Sequence, residues 1–558
     1  MREVLDGEPY HVLWFYEYDR ERGWRHVPPR ADFWGEQREM QTTYFTLLYY
    51  EKDEALAGAL SARLNGWWET ACRLTACRSF GEPPRPEVRI EPDPLVEVGW
   101  AAYDRNTLLI PSPLLGRVPE SGETDPALIS ALAEQIATRW GETLLGEQPD
   151  PYSEVAWVRD ELTLWLRHEF DPSAPPSGLF NPLVEAYGPA IVPEYLDLIR
   201  RGAGAVPALQ QVTGTPVADL PVNWERYFTY RLRAEAAMIA EGFTTEARLL
   251  FGDPERTEEN GVVDIATEVM AVPESIEVQG VTYFNGTAWA EVWFYRQGAS
   301  VGDALVTFEP FRVVDDRWVH TLAYFEDWGD LLDERSPHVT LAYHELDASA
   351  TEGLMAKLEA AYGQAVSDFG LSPAALSVSV LITPSSQPGR EAPVAPEGQG
   401  AAVVPVAVLS PYASGRRPGV SVQEYLTLTT IQKMIESLVA YEVAPFPPHH
   451  PLTVALAGWE LERLGVTPPA AQNVTPEAFI SQPFSIETLW AEDGNMPGFT
   501  HGTATAPANE LAARVLIDLL VERYGPQAIP ALIRYLPDSI SLDDWLSRSL
   551  GIGTAEIE

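Results

Sequence analysis

The chain has 558 residues, an apolar content of 46% and a formal net charge of −43. Its length allows about three to five domains, each with its own core, and its apolar content excludes a disordered chain. The negative charge argues against binding to nucleic acid or to an anionic membrane surface, because both would repel it. No apolar run approaches the roughly 18 residues needed to span a bilayer.

The N-terminal region predicts paired strands and then a strand–helix unit. Residues 12–18 are aromatic and β-branched, residues 19–23 form a turn, and residues 24–27 continue as the partner strand. A further strand at 43–50 precedes a helix at 54–70. After these come strands at 87–90 and 108–111 and helices at 126–145 and 151–170, in which apolar residues recur at three- and four-residue spacing.

Short motifs of this region recur later in the chain, at a separation that is constant within each block. The pairs are Trp24-Arg25-His26 with Trp318-Val319-His320, Trp34-Gly35 with Trp328-Gly329 and Asp53 with Asp347 at 294 residues, Ser112-Pro113 with Ser410-Pro411 at 298, and Tyr187-Gly188-Pro189 with Tyr524-Gly525-Pro526 at 337. A period near 300 is too long for a solenoid and indicates tandem duplication of a whole module. Because strands come first and helices last in each module, we expect an α+β fold.

Between the two copies lies a stretch with a different order of elements. It predicts one helix and four strands, at 230–241, 276–284, 289–295, 304–312 and 318–322. This order resembles the nuclear-transport-factor-2-like (SnoaL-like) cone domain. The resemblance implies a cone at 231–330, with 1–35 as the last strands of another cone. It also implies a small-ligand pocket lined by Trp289, Trp293 and Phe311, whose alternative role is plain core packing.

The repeated modules resemble the peptidase-MA-like (gluzincin-type) zinc metallopeptidases. The layout of strand, helix, strands and a central helix, and the helices ending in Tyr-Gly-Pro, carry this resemblance in both copies. It implies metallopeptidase-like domains at 36–230 and 331–558. In that family the central helix carries HExxH, which places two histidine ligands on one helix face, and the next helix supplies a third ligand.

Neither copy has the zinc ligands. The position of the motif is occupied by Ala133-Glu134-Gln135-Ile136-Ala137 in the first copy and by Ile431-Gln432-Lys433-Met434-Ile435 in the second. The helix of the third ligand offers only Asp160 in the first copy and no acid at 455–458 in the second. Because Zn²⁺ takes about three protein ligands plus water, Glu134 and Asp160 alone cannot hold it. We therefore predict no metal and no cofactor.

Three functions remain open. The first is a non-catalytic binding or scaffold protein whose partner is an unknown protein or small molecule. The second is small-ligand binding in the cone, and the third is a hydrolase with a non-standard site. For that third function Glu134, Asp160 and His168 are the first residues to examine.

Two features bear on location. Cys72 and Cys77 form either a local disulfide at a helix end, as in an oxidising compartment, or two unpaired thiols. The second copy has about 80 residues ahead of Trp318 for which the first copy has no room, so we expect Met1 to lie inside a module. No signal peptide is visible. The repeat nevertheless favours an extracytoplasmic or secreted protein over a cytoplasmic one.

Overall fold

The computed structural model contains two compact units. Unit 1 comprises Met1–Ala247 and Val313–Val319, and unit 2 comprises Arg248–Arg312 and His320–Glu558. Both units mix helices with small sheets, which confirms the α+β class. The structure describes residues 2–5, 8–28, 30–77, 85–115, 117–119, 125–146, 152–243, 247, 276–295, 304–315, 317–384, 402–466, 490 and 506–557.

Unit 1 is built on a five-stranded sheet. The strands of unit 1, including those outside this sheet, are β1 (Arg2–Leu5), β2 (Glu8–Val12), β3 (Tyr16–Asp19), β4 (Gly23–His26), β5 (Gln37–Gln41), β6 (Thr46–Tyr50), β7 (Glu87–Glu91), β8 (Gly99–Ala101), β9 (Asp104–Pro111) and β10 (Arg117–Pro119). The main sheet has the order β5-β6-β7-β9-β8, in which β6, β7 and β9 are parallel and the two outer strands antiparallel. The predicted strand at 12–18 is divided, because β2 pairs with β10 while β3 forms a hairpin with β4.

The helices of unit 1 follow the sheet and pack its core. They are α1 (Glu54–Thr75), α2 (Pro126–Leu145), α3 (Glu154–Phe170), α4 (Phe180–Tyr187), α5 (Ile191–Arg200), α6 (Ala205–Thr213) and α7 (Trp224–Ala240). Side chains of Asp125 and Ser153 accept hydrogen bonds from the first turns of α2 and α3, which fixes where both helices begin. Helix α7 runs without a break through the predicted domain boundary at 230/231. A Cys72–Cys77 disulfide closes the end of α1, which settles the two alternatives for these cysteines.

Unit 2 contains an antiparallel sheet and a mixed sheet. The strands in this part of the chain are β11 (Ile276–Phe284), β12 (Thr287–Phe294), β13 (Leu305–Val314), β14 (Arg317–His320, mostly in unit 1), β15 (Leu331–Arg335), β16 (Val339–His344), β17 (Leu376–Thr383) and β18 (Ala402–Leu409). Strands β11, β12 and β13 pair antiparallel. The mixed sheet has the order β15-β16-β17-β18, with β15 antiparallel and the other three parallel.

The helices of unit 2 cover one face of the mixed sheet. They are α8 (Ala348–Thr351), α9 (Leu354–Asp368), α10 (Val422–Glu442), α11 (Pro451–Arg463), α12 (Ala506–Tyr524), α13 (Ile529–Tyr535) and α14 (Leu542–Leu550). Alternate valines of β18 (Val404, Val406 and Val408) point into a single core shared with α9 and α10. A row of β-branched side chains suits this position, because it packs well on a pleated surface.

A chain of buried hydrogen bonds ties three distant segments of unit 1 together. The indole Nε1 of Trp34 donates to the Oγ of Ser112 (2.9 Å), and that hydroxyl donates to Oδ1 of Asp53 (2.8 Å). All three side chains are at most 2% exposed. We call this set the Trp–Ser–Asp latch. It joins the segment before β5, the residue before α1 and the end of β9.

The same latch occurs in unit 2. Trp328 Nε1 donates to Ser410 Oγ (3.0 Å), and Ser410 donates to Oδ1 of Asp347 (2.7 Å). These side chains are fully buried. In both units the second carboxylate oxygen, Oδ2, has no hydrogen-bond partner among the described residues. Burial therefore raises the pKa of Asp53 to about 6 and that of Asp347 to about 7, against the opposing effect of the serine hydrogen bond.

We predict that the two latches make the protein less stable as the pH rises. A raised pKa means that stability is fully present below about pH 4, where the unfolded aspartates are protonated, and is lost as pH rises through 6 to 7. Urea unfolding at a series of pH values should show that the free energy of unfolding falls as the pH rises. This slope should be smaller in the Asp53→Asn/Asp347→Asn variant and unchanged in Asp160→Asn, which alters an exposed carboxylate. An equal slope in all three proteins would contradict the prediction.

Candidate functional site

The positions that the resemblance assigns to zinc ligands belong to the hydrophobic core. Ala133 and Ala137 on α2 are fully buried, and on α10 Ile431 is 7% exposed and Ile435 fully buried. None of these side chains carries an atom that could coordinate a metal. Each central helix therefore uses this face for packing against its own unit.

Glu134 and Asp160, the two acids that the resemblance places near a zinc site, pair with different arginines. Glu134 on α2 forms an ion pair with Nη1 of Arg167 (3.0 Å), and Asp160 pairs with its neighbour Arg159 (3.2 Å). Arg159 and Arg167 lie eight positions apart on α3, which is about 12 Å along a helix. His168 contacts the carbonyl oxygen of Ala174 through Nδ1 (2.7 Å) at the end of the same helix. These contacts do not bring the three residues named for a hydrolase into one site.

A different carboxylate, Glu161, is the buried acid of α3, and the sequence analysis missed it. It is 2% exposed and accepts hydrogen bonds from Ser177 Oγ (2.6 Å) and the Leu179 backbone amide (3.1 Å). Its other oxygen pairs with Nε of Arg226 (2.7 Å). Through these partners Glu161 joins α3 to the segment before α4 and to α7.

Glu460 on α11, the helix that follows α10, is a second buried acid and is fully buried. Its surroundings are different. Burial raises its pKa to about 8, the negative charge of Asp368 adds to this shift, and Arg463 opposes it. Arg463 is itself paired with Asp368 (3.0 Å). Glu460 is therefore mainly protonated at neutral pH, whereas Glu161 forms an ion pair with Arg226.

Unit 2 has a small cleft between α10 and the edge of its mixed sheet. Its volume is about 250 Å³. Tyr425, Thr429 and Lys433 form one wall, since residues four apart share a helix face. Lys433 Nζ also pairs with Oε2 of Glu436 (2.8 Å). We call this the β18 cleft, and it is lined by Thr383, Ala407, Val408, Leu409, Ser414, Tyr425, Thr429 and Lys433.

In unit 1 a short strand lies on the outer side of β9. Strand β8 pairs antiparallel with the outer side of β9. Its Trp100 donates from Nε1 to the carbonyl oxygen of Gln135 on α2 (3.1 Å), and the guanidinium of Arg139 lies 5.5 Å from the Trp100 ring centre. Gln135 is the residue 298 positions before Lys433. A short extended segment thus binds the edge strand and the central helix together.

The three aromatic residues predicted to line a cone pocket do not share a sheet face. Trp289 and Trp293 are four residues apart on β12 and therefore lie on one face of the sheet. Phe311 is paired with Ala288, the neighbour of Trp289, and so lies on the other face. Trp289 is fully buried against Trp328 (4.7 Å between ring centres). Phe311 stacks on His320 at 5.1 Å. Trp289 and Phe311 therefore act as packing residues on opposite sides of the sheet.

Within the described ranges, no three or more His, Cys, Asp or Glu side chains are grouped so that they could hold a metal ion. None of the helices described is both long and apolar enough to cross a membrane. No protein-family model, curated protein or solved structure matches the chain.

We predict opposite effects of one substitution at the two buried glutamates. Glu161→Gln removes the charge that Arg226 and two donors require, and should lower the unfolding free energy by about 2 kcal/mol. Glu460→Gln replaces a protonated acid with a neutral amide and should raise the unfolding free energy at pH 7, because the glutamate ionises in the unfolded chain and glutamine cannot. It should also remove the loss of stability that occurs as pH rises from the ordinary pKa of glutamate to about 8.

Urea unfolding at pH 7 and at pH 9 measures both effects, and each variant serves as the control for the other. Equal losses at pH 7 would show that the two carboxyl groups have the same charge state.

Proposed function

We propose that the chain is a non-catalytic binding protein made of two metallopeptidase-like modules. The observation that carries this proposal is the apolar character of all four ligand positions, Ala133 and Ala137 in one copy and Ile431 and Ile435 in the other. A catalytic zinc site needs three ligands and an open position, and these helices bury hydrocarbon there instead.

The recurrence of local geometry supports a common module. Both copies have one antiparallel strand followed by three parallel strands, and both place the latch at the same points. Gly188 and Gly525, which follow the helices ending in tyrosine, share a backbone conformation, with φ of 83° and 82°. Glycine is favoured at such positive φ because it has no Cβ. The duplicated arrangement remains our interpretation of these matches.

We further propose that the β18 cleft binds an extended polypeptide segment. Strand β8 supplies the precedent, since it lies antiparallel on an edge strand and reaches the central helix through Trp100. Among the described residues, β18 pairs with β17 and with no strand on its outer side. A sheet edge presents backbone donors and acceptors in a row, and added strands bind through them.

The lining of the cleft indicates which side chains it would accept. Hydroxyl groups of Ser414, Tyr425 and Thr429 can hydrogen-bond to polar groups. Lys433, one of only three lysines in the chain, adds a positively charged ammonium group. This ammonium group favours a segment that carries a carboxylate near the cleft. The pairing of Lys433 with Glu436 leaves its charge partly balanced and makes this preference moderate.

We predict that the purified chain holds no stoichiometric zinc and does not cleave casein when Zn²⁺ is added. Elemental analysis after dialysis and a peptide-release assay measure the two quantities. Glu134→Ala and Asp160→Ala should leave both unchanged, since neither carboxylate has a metal to hold. One equivalent of zinc that is lost in either variant would overturn the non-catalytic assignment.

We also predict that peptides selected from a random library on the full chain bind at the β18 cleft. Thr429→Trp fills the cleft and should weaken them by about tenfold or more, or about 1.4 kcal/mol. Glu424→Trp adds the same bulk on α10 outside the cleft lining and should have no effect. Lys433→Ala should weaken mainly the acidic peptides. Peptides that bind Thr429→Trp and the unaltered chain equally would contradict the proposal.

A further inference from the structure

The β3–β4 hairpin exposes a row of aromatic side chains. Tyr16, Tyr18 and Trp24 are 55%, 59% and 70% exposed. Tyr18 is directly opposite Trp24 in the hairpin register, and their ring centres are 5.4 Å apart. We call these three side chains the aromatic hairpin face. Contiguous exposed aromatic surface of this kind marks an interaction site more often than scattered apolar residues do.

The hairpin is attached firmly to the rest of unit 1. Phe15, which precedes β3, stacks on Trp34 of the latch with 5.6 Å between ring centres. The backbone amide of Val27 donates to the carbonyl oxygen of Phe15 (2.9 Å) and closes the base of the hairpin. The exposed face is therefore presented on a fixed base.

The chain contains a second version of this hairpin end, and there the tryptophan is covered. Trp318 follows Trp24 by 294 residues and is 1% exposed. It packs edge-on against Trp224 (5.9 Å between ring centres) and Phe228 (5.4 Å), which stand four residues apart on α7. All three belong to unit 1. A helix with an aromatic pair at this spacing thus covers the tryptophan that corresponds to Trp24.

The neighbouring histidines support the same correspondence. His26 contacts Tyr16 with 5.6 Å between ring centres, and His320, again 294 residues later, contacts Phe311 at 5.1 Å. In both hairpins, therefore, the histidine two positions after the tryptophan packs against an aromatic ring. The difference between them is the helix that covers one and not the other.

We infer that the aromatic hairpin face is the docking surface for an amphipathic helix of a partner protein, which presents two aromatic side chains four residues apart. Edge-to-face packing of such a pair on Trp24 and Tyr18 would reproduce the contacts that α7 makes with Trp318. A helix is favoured over a lipid surface because the chain has a net charge of −43, which anionic membranes repel. The inference depends on the repeated hairpin and not on the β18 cleft, so either can fail alone.

A peptide with the sequence of residues 221–241, which includes α7, is the probe for this surface. Fluorescence anisotropy of the labelled peptide, titrated with the full chain, should show saturable binding. Trp24→Ala should weaken binding by about tenfold or more, as is common for a buried aromatic anchor. Tyr103→Ala, which removes a 74% exposed aromatic side chain elsewhere in unit 1, should leave binding unchanged. A peptide with alanine in place of both Trp224 and Phe228 should bind about tenfold or more weakly as well.

Three results would overturn the inference. One is the absence of saturable binding, and another is equal binding to Trp24→Ala, which would mean that the peptide displaces α7 from Trp318. The third is adsorption of the chain to phosphatidylglycerol-containing vesicles that requires Trp24 while the peptide does not bind, which would assign the face to lipid. Because Trp24 is exposed, its substitution should not disturb folding, and unfolding in urea checks this.

Discussion

In each unit one serine hydroxyl, buried between a tryptophan and an aspartate, holds the framework of the sheet in place. Ser112 and Ser410 each accept a hydrogen bond from a tryptophan and donate one to an aspartate, so three buried side chains are linked to one another. Losing any member would leave buried polar atoms without partners, which costs more than the hydrogen bond itself contributes. The arrangement has its own cost. It keeps an aspartate away from water with one oxygen unpartnered, which is why Asp53 and Asp347 hold protons to unusually high pH.

The latch acts at three points of the framework of each unit. It joins the chain before the sheet, the start of the first helix and the end of a parallel strand, and none of these points involves the central helix. The faces of α2 and α10 at the ligand positions pack as ordinary core, and the buried acids lie on the next helix instead. Glu161 is paired with Arg226, whereas Glu460 is protonated beside Asp368. The two buried acids thus have different electrostatic surroundings, because their neighbouring side chains differ.

Two contacts within the chain show how surfaces of this kind can be covered. Strand β8 lies on the edge of β9, and α7 lies on Trp318, so the molecule contains both an extended segment on a sheet edge and an aromatic helix on a tryptophan. We propose that the β18 cleft and the aromatic hairpin face are the counterparts of these contacts. On that proposal, the shape and polarity of each partner follow from the segment that covers the corresponding surface.

The sequence alone determined the α+β class, most helices, the absence of HExxH and the pairing of Trp34, Asp53 and Ser112 with their later counterparts. These follow from local periodicity and from identical residues at constant separation. Only the tertiary structure decided which residues meet. It linked the latch residues across 78 positions, buried Glu161 instead of Asp160, joined Cys72 to Cys77, and set Phe311 on the face opposite Trp289. The register of a strand and the burial of a side chain depend on partners far away in the chain. A shift of one residue in strand register turns each side chain to the other face of the sheet.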